Sequence, residues 1–142
     1  MVSKEKFCLD DIEKDLIILQ TKHSMAVFHP QPFLKYHILI FPKSQKSDVD
    51  DLYPKERDDI FDMIYQFGNM FDDLGDGFTV LFKEYDDILA VHLVVRKEGD
   101  LEENDDIYED DALKMANFKV VTQDARNASS FLRRKVINYN SS

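Results

Sequence analysis

Imidazole is the side chain best suited to proton and nucleophile chemistry near neutral pH, and this sequence has four: His23, His29, His37 and His92. His92 is the only polar side chain in the apolar run Ile88-Leu89-Ala90-Val91-His92-Leu93-Val94-Val95. Such a residue has a structural reading, a buried ring bonded to a carbonyl, and a chemical one, a nucleophile or an N–H donor to phosphate. His29 and His37 flank a proline-bearing loop. Alone, His37 is an ordinary strand-start residue. If His29, His37 and His92 converge, three imidazoles with an open fourth position suit Zn²⁺, so zinc is an option although no cofactor is required. His23, in the polar break Thr21-Lys22-His23, reads as an exposed turn residue. Cys8 is the only cysteine, which excludes a disulfide framework or a zinc site built on paired cysteines.

The elements that must position these rings follow from periodicity. Ile88–Val95 is apolar on both faces and rich in β-branching, the pattern of a strand inside a sheet. Alternation puts Ile88, Ala90, His92 and Val94 on one face and Leu89, Val91, Leu93 and Val95 on the other. Strands are also predicted around Leu16–Leu19, over Ser24–His29 and over Tyr36–Phe41, the last two bounded by Pro30, Pro32 and Pro42. In Ser24–His29, Met25, Val27 and His29 share a face. Pro54 suits a first helical turn, and Ile60, Met63, Ile64, Phe67, Phe71 and Leu74 recur at helical spacing, so a long helix is predicted over Pro54–Leu74, ended by Gly75. Phe78–Phe82 is a further strand, and Lys83–Asp87 a tight connection into Ile88–Val95. In Asp124–Val136 the apolar stripe is incomplete, because nothing large and apolar precedes Phe131, and the stretch is left unassigned.

The run ending His92-Leu93-Val94-Val95-Arg96-Lys97-Glu98-Gly99-Asp100, with Asn104-Asp105-Asp106-Ile107-Tyr108-Glu109, resembles the histidine triad family and, within it, most the branch of the fragile histidine triad protein, which hydrolyses dinucleoside polyphosphates. The resemblance covers roughly Leu16 to Leu113. It implies an α+β fold, an antiparallel sheet of about five strands with one long helix packed on it, as domain 1–113, followed by a C-terminal extension over 114–142. It places His37 and His92 on the sheet face away from that helix. It also implies a homodimer, formed through the long helix and a strand, for which Phe61, Tyr65 and Met70 are apolar beyond one stripe.

The family signature, His-x-His-x-His followed by two apolar residues, is broken here. Counted without a gap from Arg96, the preferred register, His92 takes the third histidine position, Ala90 the second, which is the nucleophile, and Ile88 the first. A two-residue slip makes His92 the nucleophile, and parity is the same in both. His37 matches the histidine that opens a family strand, with Tyr36 where a small residue stands. His29 takes the place of an acid or amide that binds ribose hydroxyls. Lys83-Glu84-Tyr85-Asp86-Asp87 lacks the glycine-rich loop and its phosphate-binding Gln, and sets three acids near where phosphate oxygens would lie. The resemblance therefore implies a degenerate protein that binds a purine nucleoside phosphate through His29, His37 and His92, with weak or no hydrolase activity. Two alternatives remain open: an active dinucleoside polyphosphate or nucleoside phosphoramidate hydrolase with His92 as its catalytic nucleophile, and a zinc-binding protein with His29, His37 and His92 as ligands.

The totals bound these readings. The 142 residues suffice for one domain with a real core, and 44% hydrophobic content argues against wholesale disorder. A net charge of −10 argues against nucleic acid held by charge alone. No apolar stretch approaches the length of a membrane span, and nothing behind Met1-Val2-Ser3-Lys4-Glu5-Lys6 reads as a secretory signal, so a cytoplasmic or nuclear location is expected. Asn127-Ala128-Ser129 and Asn140-Ser141-Ser142 are then chance matches to a glycosylation triplet. Charge is uneven: Glu98–Asp111 has no Lys or Arg, while Lys114–Lys135 is basic. These are either two solvated surfaces or a basic tail folded back on the acidic stretch.

Overall fold

The computed structural model describes residues 8–85, 87–109 and 112–141. Asp86, one of the three acids expected near phosphate, lies outside them, as do Asp110 and Asp111. Five strands, β1 (Ile17–Gln20), β2 (Ser24–Phe28), β3 (His37–Pro42), β4 (Gly77–Glu84) and β5 (Leu89–Arg96), form one antiparallel sheet in the order β1-β2-β3-β5-β4. β5 is interior and Leu89–Val95 are all buried, as the two-sided apolar run requires. This is the α+β fold expected.

The pairing register fixes the faces. Leu39 opposes His92, His37 opposes Val94, and Leu81 opposes His92 from the other side, so these side chains share one face. The next residues inward, Ile38, Ile40, Val91 and Leu93, point to the other face, into the core that the long helix covers.

That helix, α1, spans Pro54–Met70 and buries Ile60, Met63, Phe67 and Met70; a 3₁₀ turn, Asp72–Leu74, follows. The helical pattern predicted to Leu74 thus tightens after Met70. Gly75 is extended rather than left-handed, and its role is close approach: a Cβ there would lie 2.5 Å from the Arg96 carbonyl oxygen. Glu56 ties down the N-terminal end of α1. Its carboxylate accepts from the Tyr53 backbone N–H at 3.0 Å, from Lys46 Nζ at 2.9 Å and from the Ser44 hydroxyl.

A second helix, α2 (Gln123–Ser141), fills the stretch left unassigned by sequence. Its buried stripe is Ala125, Ser129, Leu132 and Val136, two of them too small to register as an apolar face, and Thr122 caps it by accepting from the Ala125 N–H at 3.1 Å. Ser129 is fully buried, which leaves the Asn127 triplet without an accessible hydroxyl. The basic tail does fold back on acids, though on different ones from those expected. Arg126 grips Glu13 at 2.8 and 2.9 Å, Lys135 meets Asp73 at 2.8 Å, and Arg133 donates to the Asp15 carbonyl at 2.8 Å. In the acidic stretch, Asp100 pairs with Arg96 at 2.8 and 2.9 Å.

Between these helices Ala112–Val121 runs as a strap over the sheet face opposite α1, where Phe118 meets the Phe41 ring edge-on at 6.2 Å.

The Glu56 cap yields a stability prediction. Burial opposes its charge, but the bonds from Ser44, Lys46 and the Tyr53 N–H outweigh it and hold the carboxyl at about 2, below its free value of 4.5. The stabilisation is full above pH 4.5 and is lost as pH falls through about 2. Glu56→Ala should lower unfolding free energy by roughly 1–3 kcal/mol at neutral pH. Urea titrations should show this gap narrowing at acid pH.

Candidate functional site

The site face of the sheet brings His29, His37 and His92 together. His29 directly follows β2 and its backbone N–H donates to the His37 carbonyl at 2.9 Å, which extends the ladder just far enough to carry its ring onto that face. Ring centroids are 4.3 Å apart for His29 and His37, 5.0 Å for His37 and His92, and 6.3 Å for His29 and His92. All three rings are buried. His23 lies apart, half-buried in the bend between β1 and β2.

The hydrogen bonds fix which nitrogen carries each proton. In Pro30-Gln31-Pro32-Phe33 the prolines have no N–H, and the two residues that do have one aim it at the imidazoles. Gln31 N–H donates to His29 Nδ1 at 3.0 Å and Phe33 N–H to His37 Nδ1 at 3.1 Å. Each Nδ1 must therefore hold a lone pair, and each neutral ring carries its proton on Nε2. His29 Nε2–H then donates to the Lys114 carbonyl at 2.9 Å. His37 Nε2–H donates to His92 Nδ1 at 2.8 Å, which leaves the His92 proton on Nε2, facing Tyr85 Oη at 2.7 Å. Tyr85 in turn donates to the Leu113 carbonyl at 3.3 Å, and Lys83 Nζ donates to the same oxygen at 2.6 Å.

All three rings are held neutral. Burial pushes His92 down to about 3, helped by the repulsion that His29 and Lys83 would set against its charged form, and pushes His37 well below 6.5, helped in the same way by His29 and His92. Burial also lowers His29, against a bond to Lys114 that favours its charged form. Tyr85 is pushed up to about 12 by burial, so it stays a phenol that can donate.

A cavity of about 560 Å³ lies beside the rings, between the proline loop and the strap. His29, Gln31, Pro32, Phe33 and His37 line one side, and Lys114, Met115, Asn117 and Val120 the other. His92 does not line it and is fully buried.

The donor set does not fit a metal. In this network the Nδ1 lone pairs of His29, His37 and His92 already accept hydrogen bonds, and their Nε2 atoms carry protons. Among the described residues no group of three His, Cys, Asp or Glu side chains could hold a metal ion. The same accounting bears on His29 as a ribose contact, since both of its ring nitrogens are engaged.

The HIT domain family model matches residues 12–130. This chain belongs to the HIT domain family. The fold is shared with a diadenosine triphosphate hydrolase from Plasmodium falciparum, solved in complex with cyclomarin A, at a TM-score of 0.72 and 19% identity over 99% of this chain and 90% of that one. It is shared with the NitFhit protein of C. elegans at a TM-score of 0.68 and 21% identity, over 94% of this chain and 31% of that one. A zinc-bound histidine triad family protein from Mycobacterium smegmatis follows at 0.66 and 16%, over 89% of this chain and 86% of that one.

Against the HIT signature, Ala90 is buried on the His92 face, opposite Lys83 of β4, and Ile88 is buried just before β5. Sequence reasoning missed Lys83 and Tyr85 as members of the site, because Lys83–Asp87 was read as a loop. β4 in fact runs to Glu84, and alternation from Leu81 through Lys83 to Tyr85 carries both side chains to the histidine face. That alternation was the available signal. The carbonyls of Leu113 and Lys114 left none, because any residue supplies a carbonyl.

Nitrogen-15 NMR should find His29, His37 and His92 as neutral Nε2–H tautomers at pH 7. Their folded pKa values lie below 6.5, so the unfolded chain binds the extra protons. The stability they confer should be full above pH 6.5 and decline as pH falls below it, with His92 itself charging only near about 3.

Proposed function

We propose that this HIT protein binds a nucleoside phosphate in the cavity beside His29 and His37, and turns it over weakly or not at all. One observation carries the reading. The three converging imidazoles form a closed network in which no ring lone pair is free. A histidine nucleophile must bring such a lone pair to the α-phosphate, and Ala90, in the ungapped nucleophile position, has only a methyl group. Binding is supported by family membership and by the cavity, whose volume of about 560 Å³ suits a small-molecule site. Its mixed lining suits a base and a sugar together: Pro32, Phe33, Met115 and Val120 are apolar, while Gln31 and Asn117 are polar. No helix is long and apolar enough to cross a membrane among the described residues.

The discriminating assay incubates wild type, His92→Ala and Ala90→His with a labelled adenosine phosphoramidate and follows both product and label retained on protein. Wild type should bind the intact phosphoramidate reversibly, release little or no adenosine monophosphate and keep no covalent label. Ala90→His should gain little, because its neighbour Ile88 cannot support a second imidazole. Turnover by wild type that disappears in His92→Ala would instead establish His92 as the nucleophile, since losing one typically removes most of a rate.

The reading includes a homodimer. Phe61 and Tyr65 are 57% and 71% exposed on α1, and Val80 is 38% exposed on the edge strand β4. Met70, grouped with them by sequence, is 5% exposed and belongs to the chain's own core. Light scattering at micromolar concentration should return twice the 16.7 kDa of the chain, and Tyr65→Asp with Phe61→Asp should return the single mass.

A further inference from the structure

Three hydrogen-bond donors from separate parts of the site face converge on two consecutive carbonyl oxygens of the strap. Lys83 Nζ and Tyr85 Oη reach the Leu113 oxygen at 2.6 and 3.3 Å, and His29 Nε2 reaches the Lys114 oxygen at 2.9 Å. An ammonium and a phenol aimed at one oxygen, with an imidazole N–H aimed at the next carbonyl, form the donor set of an anion site, and a neutral carbonyl is a weaker acceptor for them than a phosphate oxygen. The strap itself bridges space. The cavity of about 560 Å³ separates it from part of the proline loop, although Leu113 is buried and Met115, Ala116, Phe118 and Val121 pack against the core.

Its start packs against Phe33 and Leu34 of that loop through the Leu113 cluster, and its polar hold on the loop comes from one exposed side chain. Gln31 Nε2 donates to the Asn117 carbonyl at 3.0 Å and to the Val120 carbonyl at 2.7 Å, and Gln31 Oε1 accepts from the Asn117 N–H at 2.8 Å. These bonds lie outside the imidazole network, to which Gln31 contributes only its backbone N–H.

We propose that Ala112–Val121 is an autoinhibitory strap: its Leu113 and Lys114 carbonyls occupy an anion site formed by His29, Lys83 and Tyr85, and its release opens that site to a phosphate group. The proposal rests on the nucleoside phosphate reading for the identity of the ligand, and on geometry alone for the strap. The closed strap lowers apparent affinity by the fraction of molecules in which it is open.

The experiment compares full-length wild type with Gln31→Ala and Gln31→Glu. Amide hydrogen exchange over Leu113–Asn117 is measured without ligand, and inorganic phosphate binding by calorimetry. Gln31 is exposed, so both variants should keep the cooperative melt of wild type. Loss of the clamp should speed strap exchange and tighten phosphate binding together, each about tenfold. Adding Lys83→Met to Gln31→Ala should abolish the gain in binding while leaving exchange fast. Faster exchange with unchanged phosphate affinity would overturn the proposal, as would unchanged exchange in both Gln31 variants, or phosphate binding that survives Lys83→Met. Adenosine, which has no phosphate, separates the two readings. If it binds wild type while phosphate responds to none of these changes, the cavity reading stands and the strap proposal falls.

Discussion

The bond from His37 Nε2–H to His92 Nδ1, 2.8 Å long and fully removed from water, is the constraint on which the rest of the site depends. Two imidazoles side by side in an apolar sheet are tolerable only if both are neutral and one donates where the other accepts. The Phe33 N–H enforces that arrangement by claiming His37 Nδ1. Everything downstream has its direction set by that choice, including the His92 proton on Nε2 and the Tyr85 hydroxyl turned to the Leu113 carbonyl. The single amide that follows Pro32 thus orders protons along a chain of groups contributed by β3, β5, the β4–β5 connection and the strap.

The sheet supplies the rigidity this needs. β5 is paired on both sides and covered by α1 on one face, so His92 cannot relax by moving its backbone. On the other face a smaller cluster of Val94, Ile107 and Leu113 anchors the start of the strap, and α2 holds its far end against the segment leading into β1, where Arg126 pairs with Glu13 and Arg133 donates to the Asp15 carbonyl. The C-terminal part of the chain is therefore not an appendage to the site. It furnishes the acceptors for three of the site's donors.

Chemically, such a network trades reactivity for order. An imidazole serves as nucleophile or ligand through a lone pair, and a lone pair that accepts a buried hydrogen bond must give it up first. The proposed function, recognition of a phosphate without attack on it, draws on this constraint. Ala90 and Ile88 add only apolar bulk beside this network, and both are buried.

Alone, the sequence determined the strands, their faces and the long helix, because hydrophobic period records directly which side of an element meets the core. Parity grouped His29 with Met25 and Val27, and His92 with Ala90 and Val94, while the shared face of His37 and His92 came from the resemblance to the family. Alternation beyond Phe82 would also have given Lys83 and Tyr85, had the strand been extended past its apolar part. α2 was hidden because its stripe is built from Ala125 and Ser129, which bury well without looking hydrophobic. What only the tertiary structure decided was the state of the rings. Tautomer, charge and the availability of a lone pair are set by backbone N–H and C=O groups of Gln31, Phe33, Leu113 and Lys114. Every residue type but proline carries both groups, so no pattern of side chains along the chain can announce where they will point.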